Sequence, residues 1–489
     1  MFGLPVLLVL APIGRPMWHL LRAVVTDRRD RPAPPPGTID DASGLNATPV
    51  AEIVECPADA ATAERELAAL VERARTSGRP ISIGGARHSM GGQTIQAGGI
   101  TLNMRPFRAM DLDEAQDLLH VGSGALWSEV LAYLNSRGRS VAIMQSNSSF
   151  TVGGSLSVNC HGWQPNRPPI ASSVESFRLL LADGRTVRCS RGENRELFSL
   201  ALGGYSLFGI LLDVDLRVVP NEEYRLERLV LPTAELAPAF RRQVSGAAGV
   251  GMAYGRLAVA PARFLRESIL NVYQRVPGGE GKPSTLEFPE AAPLTRAIFR
   301  GQVGSDYGKE LRWSAEKRLG GLFSGSVHRN QLLAEPAAVF ENRAAASTDV
   351  LHEYFVPLDG FAAFADSLSR VVSQHHGDLL NVTVRHVLRD DDTFLRYADQ
   401  EMLALVLLFN QPRSRLGDEG MQAMTRDLVD AALRAGGRHY LPYRLHATPQ
   451  QMAAAYPQLQ RFFDLKRRYD PEQVFQNAFY ARYAEGRTH

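Results

Sequence analysis

Apolar and polar positions recur along this chain with two periods, and the switches between them mark its elements. Within residues 60–77, from Ala61 to Thr76, apolar positions fall at helical spacing with Glu64, Glu66, Glu72 and Arg73 between them, which predicts an amphipathic helix. Pro80-Ile81-Ser82-Ile83 predicts a short strand running directly into Gly84-Gly85. Leu118 to Gly122 predicts another strand, followed by a helix from Leu126 to Ser136 closed by Gly138 as its C-cap. Leu179 to Val187 predicts a hairpin turning at Asp183-Gly184. Ile210 to Val219 alternates as a strand up to Pro220. Short strands and helices therefore intermix over residues 38–225, which predicts an α+β domain. Over residues 226–435 the elements lengthen, with a strand at Leu351–Val356 and a helix at Gly360–His375. Residues 436–489 form a last segment that is helical and aromatic from Arg461 to Tyr483.

Residues 1–37 have a different texture. Phe2 to Ile13 is strongly apolar, interrupted by Pro5 and Pro12, and is followed by Arg15, Trp18, His19 and Arg22. A spanning helix needs about 20 apolar residues, so this run is short for crossing a bilayer. An export signal carries its positive charge ahead of the apolar stretch, and here the arginines follow it. The order of apolar run, Trp18 and arginines suits a segment lying in a membrane interface through residues 2–22. A frayed start or an uncleaved export signal are the alternatives. The expected location is cytoplasmic, with membrane association through this N-terminus. Pro32 to Gly37, with four prolines, reads as a stiff linker.

Composition narrows the function classes. A chain of 489 residues with 45% hydrophobic and 22% charged residues is ordinary for a globular protein of two or more domains. The formal net charge is +2, without the basic footprint of a nucleic-acid binder, so no nucleic-acid partner is expected. Three cysteines, Cys56, Cys160 and Cys189, are too scattered for a disulfide framework or a structural zinc site. No metal is expected. Cys160-His161-Gly162 places its two ligand types too close for a chelate, and His375-His376 reads as a pair complementing a helix end.

Five glycine pairs lie in the first domain: Gly84-Gly85, Gly91-Gly92, Gly98-Gly99, Gly153-Gly154 and Gly203-Gly204. Such turns let backbone amides face a ligand and form concave anion sites, which points to a large phosphate-bearing ligand. The dinucleotide fingerprint fits poorly, because Gly122-Ser123-Gly124 is followed by Trp127 where the third glycine belongs. The hydrolase elbow fails as well, since Gly204-Tyr205-Ser206-Leu207 closes on Phe208. His88 sits between Arg87 and Ser89 in a glycine-bounded loop; spacing alone gives it no role.

The ordered set Gly84-Gly85-Ala86-Arg87-His88-Ser89, Thr151-Val152-Gly153-Gly154, His161-Gly162, Asp183-Gly184 and Gly203 to Gly209 resembles the vanillyl-alcohol-oxidase/PCMH family of FAD enzymes, and within it the alditol and sugar-lactone oxidase branch. The likeness resumes in Lys466 to Phe475 and is weaker at Glu353 to Pro357 and Val384 to Val387. The resemblance implies a two-subdomain PCMH-type FAD-binding domain, an α+β substrate (cap) domain, and a C-terminal segment returning to the flavin domain. It implies FAD bonded covalently through His88, with Gly84, Gly85, Ala86, Arg87 and Ser89 wrapping the diphosphate. Thr151, Gly153, Gly154, Ser157, His161 and Gly162 would line the flavin, and Ile210 would touch its ring or adenine side. Cys160 is poorly placed for a second covalent bond. Ser206 stands where many relatives carry glycine.

Alcohol oxidation needs a C–H aimed at flavin N5 and a means of removing or stabilising the hydroxyl proton. Arg385, in an otherwise apolar strand, suits a cation beside the forming alkoxide. Glu353 suits orientation or proton acceptance, and Tyr443 and Arg444 fall where the branch carries a lysine, which leaves the base open. The expected substrate is a small polyol, sugar-derived alcohol or aldonolactone, with oxygen or another electron acceptor. The alternatives are a lipid-linked sugar, as in the decaprenylphosphoryl-ribose oxidase branch, against which His88 counts, and a membrane-tethered binding protein without turnover.

Overall fold

The computed structural model describes residues 4–27, 30–288, 293–319, 325–335 and 340–484. The first sheet is small and parallel, in the order Glu52–Glu55, Ile100–Asn103, Ile81–Gly84. Helix Ala60–Ser77 covers it with Ala63, Leu67, Leu70, Val71 and Ala74, the stripe expected of its spacing. Asp59 caps its start by accepting from Thr62 N–H, and left-handed Gly78 ends it. The second sheet pairs Thr186–Ser190, Val174–Leu180, Ile210–Pro220, Leu118–Gly122 and Met110–Asp113 in that order, with Arg139–Val141 also on the long strand Ile210–Pro220. The two sheets share a seam at Leu180, Ala182, Ile210 and Leu212, which pack with the core of the first.

Helices and sheets mix throughout, as an α+β PCMH-type fold requires. The helix after Leu118–Gly122 runs Trp127–Asn135, shorter than expected, because the chain leaves the helix at Ser136 and turns through left-handed Gly138. The aromatic segment near the C-terminus is two helices, Leu459–Tyr469 and Ala478–Tyr483, not one. Pro471 lacks an N–H, and Gln473 adopts a φ of 57°, so the helix cannot continue between them.

The strand Glu223–Pro232 crosses the 225/226 position and opens an eight-stranded antiparallel sheet. At its centre lie Val250–Leu257, Asp378–Val387, Met402–Pro412 and Ser347–Pro357. Residues alternate between its faces. Val382, Val384, Leu403, Leu405, Leu407, Val350 and Tyr354 meet helices Phe361–Gln374 and Arg415–Arg434 in one apolar core. Their neighbours in sequence point the other way, toward the flavin domain.

The C-terminal segment returns to the first sheet. Ile81 N–H donates to Val474 O at 2.6 Å, Gln476 N–H donates to Ile81 O at 3.0 Å, and Phe475 is wholly buried in that core. Asp470 fixes this stretch: its carboxylate accepts from Val474 N–H and Phe475 N–H, both at 2.8 Å, and from Lys466 Nζ at 2.5 Å. Both members of the pair are buried.

Breaking a buried ion pair costs several kcal/mol. Asp470→Asn is therefore expected to lower unfolding stability by about 3 kcal/mol, read from the urea midpoint. A change below about 0.5 kcal/mol, the range of ordinary surface substitutions, would show that the return segment does not depend on this carboxylate.

Candidate active site

A cavity of about 900 Å³ lies between the flavin-domain turns and the inner face of the cap sheet. One wall is the turn that follows strand Ile81–Gly84. Gly84, Gly85, Ala86, Arg87, His88 and Ser89 all line it. Arg87 adopts a left-handed φ of 52°, a conformation that a side-chain-bearing residue takes at a cost of about 1 kcal/mol. A Cβ on Gly85 would stand 2.2 Å from Thr151 Oγ1, so only glycine lets this turn close against the next one. That next turn is the start of helix Val152–Ser157, where Thr151 is the N-cap and accepts from Gly154 N–H. Thr151, Gly153, Gly154 and Ser157 also line the cavity.

His88 stacks on Phe150, ring centroids 4.2 Å apart. Its Nε2 lies 3.1 Å from Ser149 Oγ and 3.3 Å from Ser149 O, and Nδ1 has no hydrogen bond among the described residues. Donation from Nε2–H to Ser149 therefore leaves Nδ1 as the nitrogen with a free lone pair. Burial lowers the His88 pKa, which keeps the ring neutral and nucleophilic.

The opposite wall carries the charged centre. His161 Nε2 hydrogen-bonds Glu353 Oε1, across the boundary between flavin domain and cap. Tyr443 OH donates to Glu353 Oε2 at 3.1 Å. Arg385 donates from Nη2 to Ser146 Oγ at 2.8 Å and from Nη1 to His161 O at 3.4 Å. Burial pushes the Glu353 carboxyl up, but His161, Arg385 and Tyr443 outweigh it and leave it below its ordinary value. Burial lowers His161 more than Glu353 raises it. The two directions agree on one state: an ionised Glu353 and a neutral His161 that donates through Nε2–H. His161 Nδ1 is then a bare acceptor, and it is buried without a partner among the described residues. Burial drives the Tyr443 phenol well above its ordinary value, so it stays a neutral donor.

Three expected site residues lie elsewhere. Arg444 turns away from the cavity, with Nη2 held 2.9 Å from both Asp418 oxygens and Nη1 donating to Asn46 Oδ1. Ile210 points into the core between the two flavin-domain sheets; by strand alternation its neighbour Leu211 faces the cavity. Gly162 is a spacer, since a Cβ there would stand 1.9 Å from Met144 O.

Other lining residues were not singled out from the sequence. Trp163 stacks on Tyr254 at 4.5 Å, and Arg256, Arg312, Glu316 and Glu335 line the cavity on the cap side. A signal existed: Asn381, Thr383 and Arg385 occupy every second position of one strand, and Tyr254 and Arg256 do so in its neighbour. Polar residues at period two in apolar strands mark a sheet face that meets a polar ligand.

Several buried polar atoms on the cavity residues lack partners among the described residues: Arg87 Nε, Ser89 Oγ, Thr94 Oγ1, Ser123 Oγ, Trp163 Nε1 and Arg385 Nε. Buried polar groups are ordinarily paired, so these are groups awaiting a ligand. Comparison with known proteins supplies its class. Residues 58–190 match the family described as FAD binding domain, and residues 311–483 match the family D-arabinono-1,4-lactone oxidase. The chain is an FAD-dependent oxidoreductase of the PCMH type. It is 24% identical over 450 residues to the FAD-dependent monooxygenase tpcD of Cochliobolus heterostrophus, covering 84% of this chain and 81% of that one. It is 22% identical over 430 residues to decaprenylphosphoryl-beta-D-ribose oxidase of Mycolicibacterium smegmatis, covering 83% and 90%. Cytokinin dehydrogenase 2 of Arabidopsis thaliana is 33% identical over 132 residues, 27% of this chain and 26% of its own. The cavity suits the cofactor of this family. Amide-rich turns and unpartnered donors at Arg87, Ser89 and Ser123 match phosphate oxygens, and His88 and Phe150 offer a flat surface to a ring system.

Burial pushes the Glu335 carboxyl up to about 7 in the folded chain. An unfolded carboxyl releases its proton near 4.5, so this group's contribution to stability falls as pH rises from there to about 7 and is level above. Glu335→Gln should therefore raise stability by about 3 kcal/mol at pH 8 and by little near pH 5, measured by thermal unfolding at the two pH values. Equal gains at both would mean that Glu335 is not held neutral by burial.

Proposed function

We propose that the flavin-dependent oxidoreductase oxidises a CH–OH group of a sugar-derived alcohol, polyol or aldonolactone, with FAD held covalently by His88. The observation that carries this reading is the His161–Glu353–Arg385 centre on the cap wall, facing the histidine turn across one cavity. When bound, FAD supplies the hydride acceptor at N5. Arg385, itself buried, holds a positive charge where a substrate oxygen gains negative charge. Tyr443, a neutral donor, orients that oxygen. The neutral His161, its tautomer set by ionised Glu353, accepts the hydroxyl proton at Nδ1, and Glu353 stabilises the resulting cation. At His88, the free Nδ1 is the nitrogen that would hold the flavin, while Nε2 stays with Ser149. The electron acceptor is oxygen or another oxidant.

A second reading is favoured by the N-terminal helix, Leu4–Thr26. Trp18, Met17, Leu21, Val24 and Val25 are all more than half exposed, while Ala23 is buried and His19 meets Tyr307. No helix among the described residues is long and apolar enough to cross a membrane. This helix lies in a membrane interface, with Arg15 and Arg22 near the headgroups. Such a seat suits a lipid-linked sugar, the substrate class named in one relative.

Two experiments test these readings. Purified protein should be yellow, its colour should precipitate with the chain in acid, and anaerobic addition of polyols or lactones should bleach it. His88→Ala should release the flavin into the acid supernatant; flavin that stays with the precipitated variant would refute the linkage. For the helix, sedimentation with anionic phosphatidylglycerol vesicles should carry down the full chain. The double change Trp18→Ser and Leu21→Ser should weaken that binding more than tenfold. Wild-type protein left in the supernatant at low salt would dismiss the interfacial seat.

A further inference from the structure

The charged centre occupies one end of the cap sheet's inner face, and a second cluster stands at a distance from it on the same face. Strand pairing aligns Glu353 with Val406, Val406 with Thr383, and Thr383 with Arg256 in one row across four strands. At a strand spacing of about 4.8 Å, Arg256 is about 14 Å from Glu353. That is farther than a single hexose ring spans. Around Arg256 the cavity wall holds two guanidinium groups and two carboxyl groups: Arg256, Arg312, Glu316 and Glu335.

These groups are only partly satisfied. Arg256 Nε pairs with Glu316 Oε1 at 3.0 Å and its Nη1 donates to Thr383 Oγ1 at 3.1 Å. Arg312 donates only to neutral acceptors, Gln302 Oε1, Leu380 O and Asn381 Oδ1, and makes no ion pair among the described residues. Burial pulls its pKa down to about 9. The Glu335 carboxylate has no hydrogen bond or ion pair among the described residues, although the fields of Arg256, Arg385 and Arg312 reach it. Beside the cluster stands the stacked Trp163–Tyr254 wall, and Trp163 Nε1 is buried with no partner.

We infer that the cap carries a second sugar-ring subsite, built by Arg256, Arg312, Glu316 and Glu335 against Trp163 and Tyr254, so that the substrate is a glycoside of two or more rings oxidised at one end. This rests on the reading of the protein as an oxidoreductase of sugar-derived alcohols. Carboxylates beside guanidinium groups accept from and donate to vicinal hydroxyls at once. The electron-rich aromatic face attracts the C–H face of a sugar ring.

The test is anaerobic reduction of the flavin-loaded protein, followed by its loss of visible absorbance. Cellobiose, maltose and lactose are compared with glucose and sorbitol. At least one two-ring probe should give a half-saturating concentration ten or more times lower than the one-unit probes. Arg312→Ala should bring that ratio close to one; Arg312→Gln serves the same purpose if the alanine variant is unstable, and bound flavin reports folding of either. Bleaching with equal half-saturation for both probe sizes overturns the subsite and leaves the sugar-oxidising reading standing. A ratio that survives in both variants overturns it equally. No bleaching by any probe, one-unit or two-ring, overturns both readings together.

Discussion

The bond between His161 and Glu353 joins two parts of the chain that are 192 positions apart, and the active centre exists only where they meet. His161 follows the flavin-domain helix Val152–Ser157, while Glu353 sits on a central strand of the cap sheet. Neither group is stable alone in that place. A buried carboxylate needs a partner, and a buried imidazole needs its tautomer fixed. Each supplies what the other lacks. Arg385 binds the carbonyl of the same His161 and Tyr443 binds the other oxygen of Glu353, so four chain segments converge on one pair. The register between cap and flavin domain is thereby set by electrostatics at the point where chemistry requires it.

The cap sheet serves two solvents with one set of strands. Its outer face is mostly apolar and packs against Phe361–Gln374 and Arg415–Arg434, which anchors the strands. With that face fixed, the inner positions are free to carry polar and charged groups whose burial costs stability. Arg312, from helix Asp306–Leu319, and Glu335, after helix Arg329–Leu333, reach the same cavity and show that cost in pKa values displaced by desolvation. Positions under such strain concentrate at sites of function.

Local pattern made much of the flavin domain legible. Helix Ala60–Ser77, strand Ile81–Gly84 and the turn at Asp183-Gly184 follow from spacing and turn chemistry alone. The motif turns from Gly84 to Ser89 and from Thr151 to Ser157 line the cavity because they are sequence-local devices. What failed was side-chain direction. Arg444 and Tyr443 are adjacent, yet one reaches the cavity and the other Asp418, a choice fixed by a helix that begins at Arg415. Ile210 and Leu211 differ by one step of strand alternation, and only tertiary packing says which face is inside. The cap cluster was hidden for a related reason: Arg256, Arg312 and Glu335 come together only after eight strands have paired.

The strand pairing of Ile81 with the stretch around Phe475 has a bearing on how the protein acquires its cofactor. Ile81 opens the strand that ends at the histidine turn, so the support beneath that turn is contributed by some of the last residues to be synthesised. A ribosome that has made the whole flavin domain, through Pro220, has still not made the segment that steadies His88. Domains usually fold in the order in which they emerge. Here the first domain waits for the last helix pair, and the support beneath the histidine turn is complete only when residues 470–477 have left the exit tunnel. The cap residues are therefore synthesised before the sheet beneath that turn gains its last partner, so the cofactor cavity is complete only in the finished chain.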